Sequence, residues 1–382
     1  MKKFLSVLLA LAMIFSLTVT VSADETKGEM DGYVVVLHTN DVHGAISGYA
    51  KVAALKKAYE AEGAYVLLMD AGDFCQGDPT VSVSQGKTAV ELMNMAGYDV
   101  TTLGNHEFDY GYDNLVNLSK EAKFPIVAAN VLYQGKVAFN ANQIFTTPSG
   151  VKIGVFGLDT PETATKAHPD KIKGVSFLAA QEMFDCAQAQ VDALKADGCD
   201  YIICLGHLGI DAESTGNRSI DLLEKVEGID VFIDGHSHTV MENKQVYDAA
   251  GKAVTLTQTG SYLANVGKMT IAEDGAITTE LVSTADVSDA AVAATAEAWI
   301  NDVDAMLGEQ IATTDINFYI NDPATGKRRI RMGETNLGDF VADGIYTYFN
   351  EVEQLDCDIA MMNGGGIRTD VDAGKWTFKT CK

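Results

Sequence analysis

The stretch AGYDVTTLGNHE, residues 96–107, decides the reading of the fold, because its layout returns as DGCDYIICLGHLG (197–209) and EGIDVFIDGHSH (227–238). Each copy places Gly, one residue and Asp ahead of an apolar run, which then reaches Gly with His close behind. The opening glycine suits the position just past a helix C-terminus, where left-handed backbone is wanted. The preceding segments, VELMNMA (90–96), CAQAQVDALKA (186–196) and SIDLLEKVE (219–227), have helix-compatible apolar spacing. Short apolar runs bounded by glycine suit strands buried on both faces. Two more strands fit the scheme, YVVVLHTNDVHG (33–44) and AYVLLMDAGD (64–73), with the helical AKVAALKKAYEAEG (50–63) between them. Alternating strand and helix predicts an α/β layered fold with mostly parallel pairing.

All five strands carry polar side chains at the carboxyl end, where open α/β sheets bind ligands. Asp41 and His43 lie two apart, so an extended segment would point both to one side, and His236 and His238 repeat that spacing. Asp73, Asn105 and His207 each close another strand. The pattern gathers Asp41, His43, Asp73, Asn105, His207, His236 and His238 around one crevice. Taken singly, a strand-end histidine is an ordinary hydrogen-bonded residue, and Asp or Asn there caps a helix or makes an Asx turn. Ligand-type side chains at all five ends are harder to ascribe to turns.

Imidazoles and carboxylates suit zinc, manganese, iron or cobalt better than thiolate or all-oxygen sites. Seven groups exceed one four-coordinate ion and fit two divalent ions sharing a bridging carboxylate. Such a pair suits hydrolysis of a phosphate ester, by activating a water and stabilising the phosphoryl oxygens. His106, next to Asn105, is the candidate to bind the phosphoryl group or protonate the leaving oxygen. Asp109 reaches it if a helical turn begins there, and would keep the imidazole protonated. Glu107 is read as structural. His38 lies mid-strand on the opposite parity and His168 in a loop, so neither receives a role.

The formal charge of −25, from 53 acidic against 28 basic residues, disfavours nucleic-acid polymers and acidic membranes as partners. A small phosphorylated substrate would need local positive charge, which bound metal ions supply. The six cysteines (75, 186, 199, 204, 357 and 381) contain no C-x-x-C pair, which argues against a thiolate zinc site. Cys199 and Cys204, in or beside an apolar strand, read as buried free thiols. The opening MKKFLSVLLALAMIFSLTVTVSADE predicts a secretory signal peptide over 1–23 cleaved near Ala23–Asp24, with an uncleaved membrane anchor as the alternative. The expectation is a secreted or cell-envelope-associated protein with no membrane span after signal removal.

With those residues assembled, the chain resembles the calcineurin-like metallophosphoesterases, specifically the exported 5′-nucleotidases and 2′,3′-cyclic-nucleotide phosphodiesterases. HTNDVHG (38–44), DAGDFCQGDP (70–79), LGNHEFDYG (103–111), CLGHLG (204–209) and DGHSHT (234–239) match that family's blocks in order. The resemblance implies a four-layer αββα sandwich, with two sheets between helices. It implies Asp41, His43 and His238 on a first metal, Asn105, His207 and His236 on a second, Asp73 as the bridge, and His106–Asp109 as the catalytic dyad. It divides the chain into a catalytic domain over 24–284, a linker helix over 285–310 and the start of a second α/β, nucleotide-recognition domain over 311–382. There Arg331 and Arg368 would contact the substrate beside the Asn363–Gly366 turn, with Gly365 and Gly366 permitting close backbone approach. Asn105 and His106 would also touch the substrate. The family's second domain continues beyond the stretch ending at Lys382, so its base-clamping aromatic residues are expected outside this sequence.

The function expected is a secreted two-metal phosphohydrolase acting on a small-molecule nucleotide. A cyclic-nucleotide diesterase or broad phosphomonoesterase is the near alternative, and a non-catalytic exported metal- or nucleotide-binding protein the distant one.

Overall fold

The computed structural model describes residues 28–283 and 286–381. The predicted signal peptide, its cleavage point and the predicted boundary at 284/285 lie outside the described residues.

The five predicted strands divide between two sheets. The first has the order 277–282, 266–271, 34–39, 65–70, 100–101. Val34–Thr39 pairs parallel with Tyr65–Asp70, which pairs parallel with Val100–Thr101, while Val266–Ile271 joins antiparallel on the other side. The second sheet has the order 240–247, 253–259, 231–233, 201–207, 152–159, 142–146. Its four central strands run parallel and its two edge strands antiparallel. Parallel pairing therefore dominates the second sheet, whereas the first divides evenly, with Val266–Ile271 antiparallel to both Val34–Thr39 and Ile277–Val282, and the strands do not form one continuous sheet.

Side-chain alternation makes the layers. Val34 and Val36 face the second sheet and pack with Leu67, Met69, Ile203, Leu205, Val231 and Ile233 between the two sheets. Val35 and Leu37 face outward onto Tyr49–Ala61 and Lys87–Ala96. Behind the second sheet, Ile202, Cys204 and Phe232 pack on Ala180–Ala196 and Ser219–Leu223. The result is helix, sheet, sheet, helix. Burying both faces of every central strand explains why these runs carry almost no polar residue before their carboxyl ends. Gly97 ends the helix Lys87–Ala96 at φ +78°, donating its N–H to Met93 O, as the C-terminal signal required.

The helix Ala290–Leu307, capped by the Asp289 carboxylate, lies against the first sheet's helical layer. Val292 and Ala296 are buried there, with Trp299 and Ile300 packed beside them. The remainder holds an antiparallel pair, Gln310–Thr314 with Gly374–Thr377, and the helix Asn336–Thr347. Its small core is Phe318, Ile320, Leu337, Ile367 and Trp376. Cys204 is a buried free thiol, whereas Cys199 is free but only partly buried. Among the described residues no helix is long and apolar enough to cross a membrane.

Candidate metal and catalytic site

The carboxyl ends of strands from both sheets open on one crevice, and the side chains there converge. Asp41 Oδ1 lies 3.2 Å from His238 Nε2 and 3.8 Å from His43 Nε2. Asp73 Oδ2 lies 3.1 Å from His207 Nε2 and 3.7 Å from His43 Nε2. Ligand atoms fall into three overlapping groups, Asp41–His43–His238, Asp41–Asp73–His207 and His43–Asp73–His106, each within 4.8 Å. Asn105 is buried beside them in the turn Asn105–Phe108. His236 is near, its ring centroid 5.1 Å from that of His207, but its Nε2 faces Glu162 at 3.0 Å and Lys166 at 3.1 Å.

Asp41 and His43 do not lie in the extended backbone that their spacing predicts. Asp41, His43, Asp73, His236 and His238 all have left-handed φ, between +44° and +75°. Turns after the strands aim these side chains inward. Each such residue costs about 1–3 kcal/mol and persists because neighbours fix it. For Asp41 those neighbours are Asn40, whose amide donates to its carboxylate at 2.6 Å, and the His236 N–H at 3.0 Å.

This donor set fits divalent cations. Asp41 and Asp73 are buried, and their ion-pair partners among the described residues are histidines alone. His207 Nδ1 bonds Ala71 O at 2.6 Å and His43 Nδ1 bonds Gln76 O at 3.1 Å, which turns each Nε2 into the site. His207 Nε2 is buried without a hydrogen-bond partner, and His43 Nε2 faces His238 Nε2 at 3.0 Å. Burial pushes the His43 pKa down to about 4, so its imidazole is neutral. For Asp73, burial works against ionisation, but His207 and His106 outweigh it and hold the carboxyl well below its usual range.

His106 Nδ1 meets Asp109 Oδ2 at 2.6 Å, and the His106 N–H donates to Asp73 Oδ1 at 2.9 Å. Burial lowers the imidazole pKa, but Asp73 and Asp109 together raise it above the ordinary value. On its far side, Arg368 Nη2 reaches His106 Nε2 at 3.0 Å, so the second domain enters the site directly. Asn363 Oδ1 accepts from the Gly366 N–H at 2.8 Å, and Arg331 borders Gly365 in the same turn. His38 instead sits buried in the first sheet against Gly267, and His168 caps the turn Pro169–Lys171.

Comparison with known proteins bears on the same residues. The calcineurin-like phosphoesterase family model matches residues 34–240, more than half of the chain. The chain belongs to the calcineurin-like phosphoesterases. A second model, the 5′-nucleotidase C-terminal domain, matches residues 310–380. A trifunctional nucleotide phosphoesterase of Bacillus subtilis is 30% identical over 90% of this chain and 25% of its own length. Bovine 5′-nucleotidase is 27% identical over 89% of this chain and 65% of its own. The chain thus spans less than two thirds of either curated relative. A crystal structure of a 5′-nucleotidase precursor from Thermus thermophilus superposes with a TM-score of 0.76 at 26% identity, covering 91% of this chain and 72% of that one.

In this phosphoesterase Glu107 has the structural role read from the sequence, while Glu162, Lys166 and Arg328, which also shape the site, escape a motif-based reading. Glu107 accepts the N–H groups of Asp73, Phe74, Cys75 and Gly104 at 2.7–3.0 Å, tying the Asp73 loop to the His106 turn. Glu162 and Lys166, an ion pair at 2.8 Å, hold His236. They follow the strand Lys152–Asp159, whose carboxyl end was the available signal. Arg328 Nη2 binds Ile367 O at 2.9 Å and so steadies the segment bearing Arg368.

Proposed function

We propose that this chain is a secreted metal-dependent phosphohydrolase that releases phosphate from nucleotides in the manner of a 5′-nucleotidase. The observation that carries the reading is the meeting of His106, braced by Asp109, with Arg368 of the second domain beside the Asp41–His43–Asp73–His207–His238 cluster. Two divalent ions held by those residues with Asn105 and His236 would supply a hydroxide nucleophile and stabilise the phosphoryl oxygens.

The protein's own groups do the rest. Asp109 fixes the His106 ring and favours its protonated form, so that with Arg368 turned from Nε2 onto a phosphoryl oxygen, Nε2 can hold the proton for the departing ester oxygen. Arg368 addresses the same small volume and offers planar donors to a phosphoryl oxygen. Arg331, Asn363, Gly365 and Gly366 neighbour one another in the second domain and would form the adjoining wall. The name of the Bacillus relative, a trifunctional nucleotide phosphoesterase, favours testing more than one kind of nucleotide ester.

The test is phosphate release from AMP by the chain stripped with chelator and reloaded with Mn²⁺ or Zn²⁺. His106→Ala should lower turnover by about 10²-fold or more while keeping metal-induced thermal stabilisation. A metal-loaded protein that binds AMP and releases nothing from AMP, a cyclic nucleotide or an aryl phosphate would refute the enzyme reading and favour a binding protein.

A further inference from the structure

Tyr262 shares the backbone signature of the site without carrying a ligand atom of the cluster. It follows the second-sheet strand Ala253–Thr259 and has φ +58°, and Leu263 after it has φ +52°. Two consecutive left-handed residues that are not glycine hold only where the surroundings fix them. Here the Tyr262 N–H donates to Asp41 O at 2.8 Å. Leu263 is buried against Gly48, where an added Cβ would come within 2.6 Å of Leu263 Cδ1. The turn is therefore locked to the Asp41 segment on one side and to the core on the other.

What the lock presents is an aromatic ring, 49% exposed. Its centroid lies 5.7 Å from that of His43 and 6.2 Å from that of His238. The His43 ring centroid in turn lies 5.2 Å from that of His106, whose Nε2 meets Arg368 at 3.0 Å, so a second-domain guanidinium closes the far side of the same cluster. Tyr262 also borders a cleft of about 400 Å³ shared with Ser47, Lys51, Ile300 and Lys379, so an organic group has room next to the ring. A half-exposed ring fixed by its backbone beside two histidines of the cluster is placed to be covered by a ligand that enters the site.

We propose that Tyr262 is a substrate-contacting residue, its ring forming the wall on which the neutral ester arm of the substrate, the sugar end of a nucleotide, packs between the metal-side histidines and the second-domain arginines. This rests on the nucleotide reading of the site. It predicts discrimination between ligands that have an ester arm and those that do not.

The experiment measures AMP and inorganic phosphate binding to the Mn²⁺-loaded chain by calorimetry, together with AMP hydrolysis, in the wild type, Tyr262→Gly and Tyr262→Phe. Glycine removes the ring and relieves the left-handed backbone, so the fold is retained. Tyr262→Gly should weaken AMP at least tenfold and raise KM more than it lowers kcat, with phosphate binding changed less than twofold. Tyr262→Phe should recover most of the lost AMP affinity. Equal weakening of both ligands would mean the ring only positions His43 and His238, and unchanged AMP binding would mean no contact; either overturns the proposal. A wild type that binds AMP without hydrolysing it sinks the hydrolase alone, since the binding comparison still decides Tyr262. A wild type that binds neither ligand overturns both.

Discussion

Gly104 sits between the ligand-bearing turns, and replacing it with alanine tests the metal reading at one atom. Its backbone, at φ −111° and ψ −177°, is extended and accepts any residue. The substitution therefore acts through space alone. An added Cβ would stand 2.3 Å from Asp73 Oδ1 and 2.7 Å from His207 Cε1 and Nε2. Ordinary contact begins near about 3.5 Å, so Asp73 and His207 must each move by about 1 Å. Overpacking of this kind costs about 1–3 kcal/mol. The larger consequence falls on metal binding, because ligand distances tolerate only about 0.2 Å. With Mn²⁺ at about a hundred times its Kd, the wild type should gain about 2.7 kcal/mol, a Tm rise of roughly 5–11 °C for a domain of this size.

The assay is thermal unfolding with chelator and with Mn²⁺. Gly104→Ala should melt a few degrees lower in chelator and gain less than about 1 °C from metal. Gly97→Ala is the control. It places a side chain at φ +78° remote from the site, costs about 1–2 kcal/mol and should keep the full metal gain. A Gly104→Ala protein with a wild-type metal-induced shift would refute the assignment of Asp73 and His207 as ligands.

Asp109→Asn replaces a charged acceptor with a neutral one, removing the charge and weakening the hydrogen bond that together raise the His106 pKa. Because His106 acts protonated, activity falls as pH rises through its pKa, and the alkaline limb of the kcat/KM profile should move to lower pH; a limb that stays in place would separate the pair. Trp376→Ala should cost about 3–5 kcal/mol in a core that otherwise rests on Phe318, Ile320, Leu337 and Ile367. Calorimetric AMP affinity should be lost while the Mn²⁺-induced shift of the catalytic domain persists, and retention of both would show that the second domain does not hold the substrate.

The three copies of one layout were enough to place three of the central strands, because a run buried on both faces must be apolar and must shed its polar residues at its end. The same rule gathers Asp41, His43, Asp73, Asn105, His207, His236 and His238 around one crevice from the sequence. The sequence could not divide those strands between two sheets, since a residue packed against a second sheet reads the same as one packed against a helix. Nor could local pattern show that Asp41 and His43 share the site through left-handed turns. Backbone sign at a non-glycine residue is imposed by contacts such as the Asn40 amide and the His236 N–H, about 195 residues away in sequence. Glu162, Lys166 and Tyr262 went unread for a related reason: each is defined by what lies opposite it. Sequence alone determined which side chains end the strands; only the tertiary structure decided what those side chains face, because that depends on packing between segments far apart in the chain.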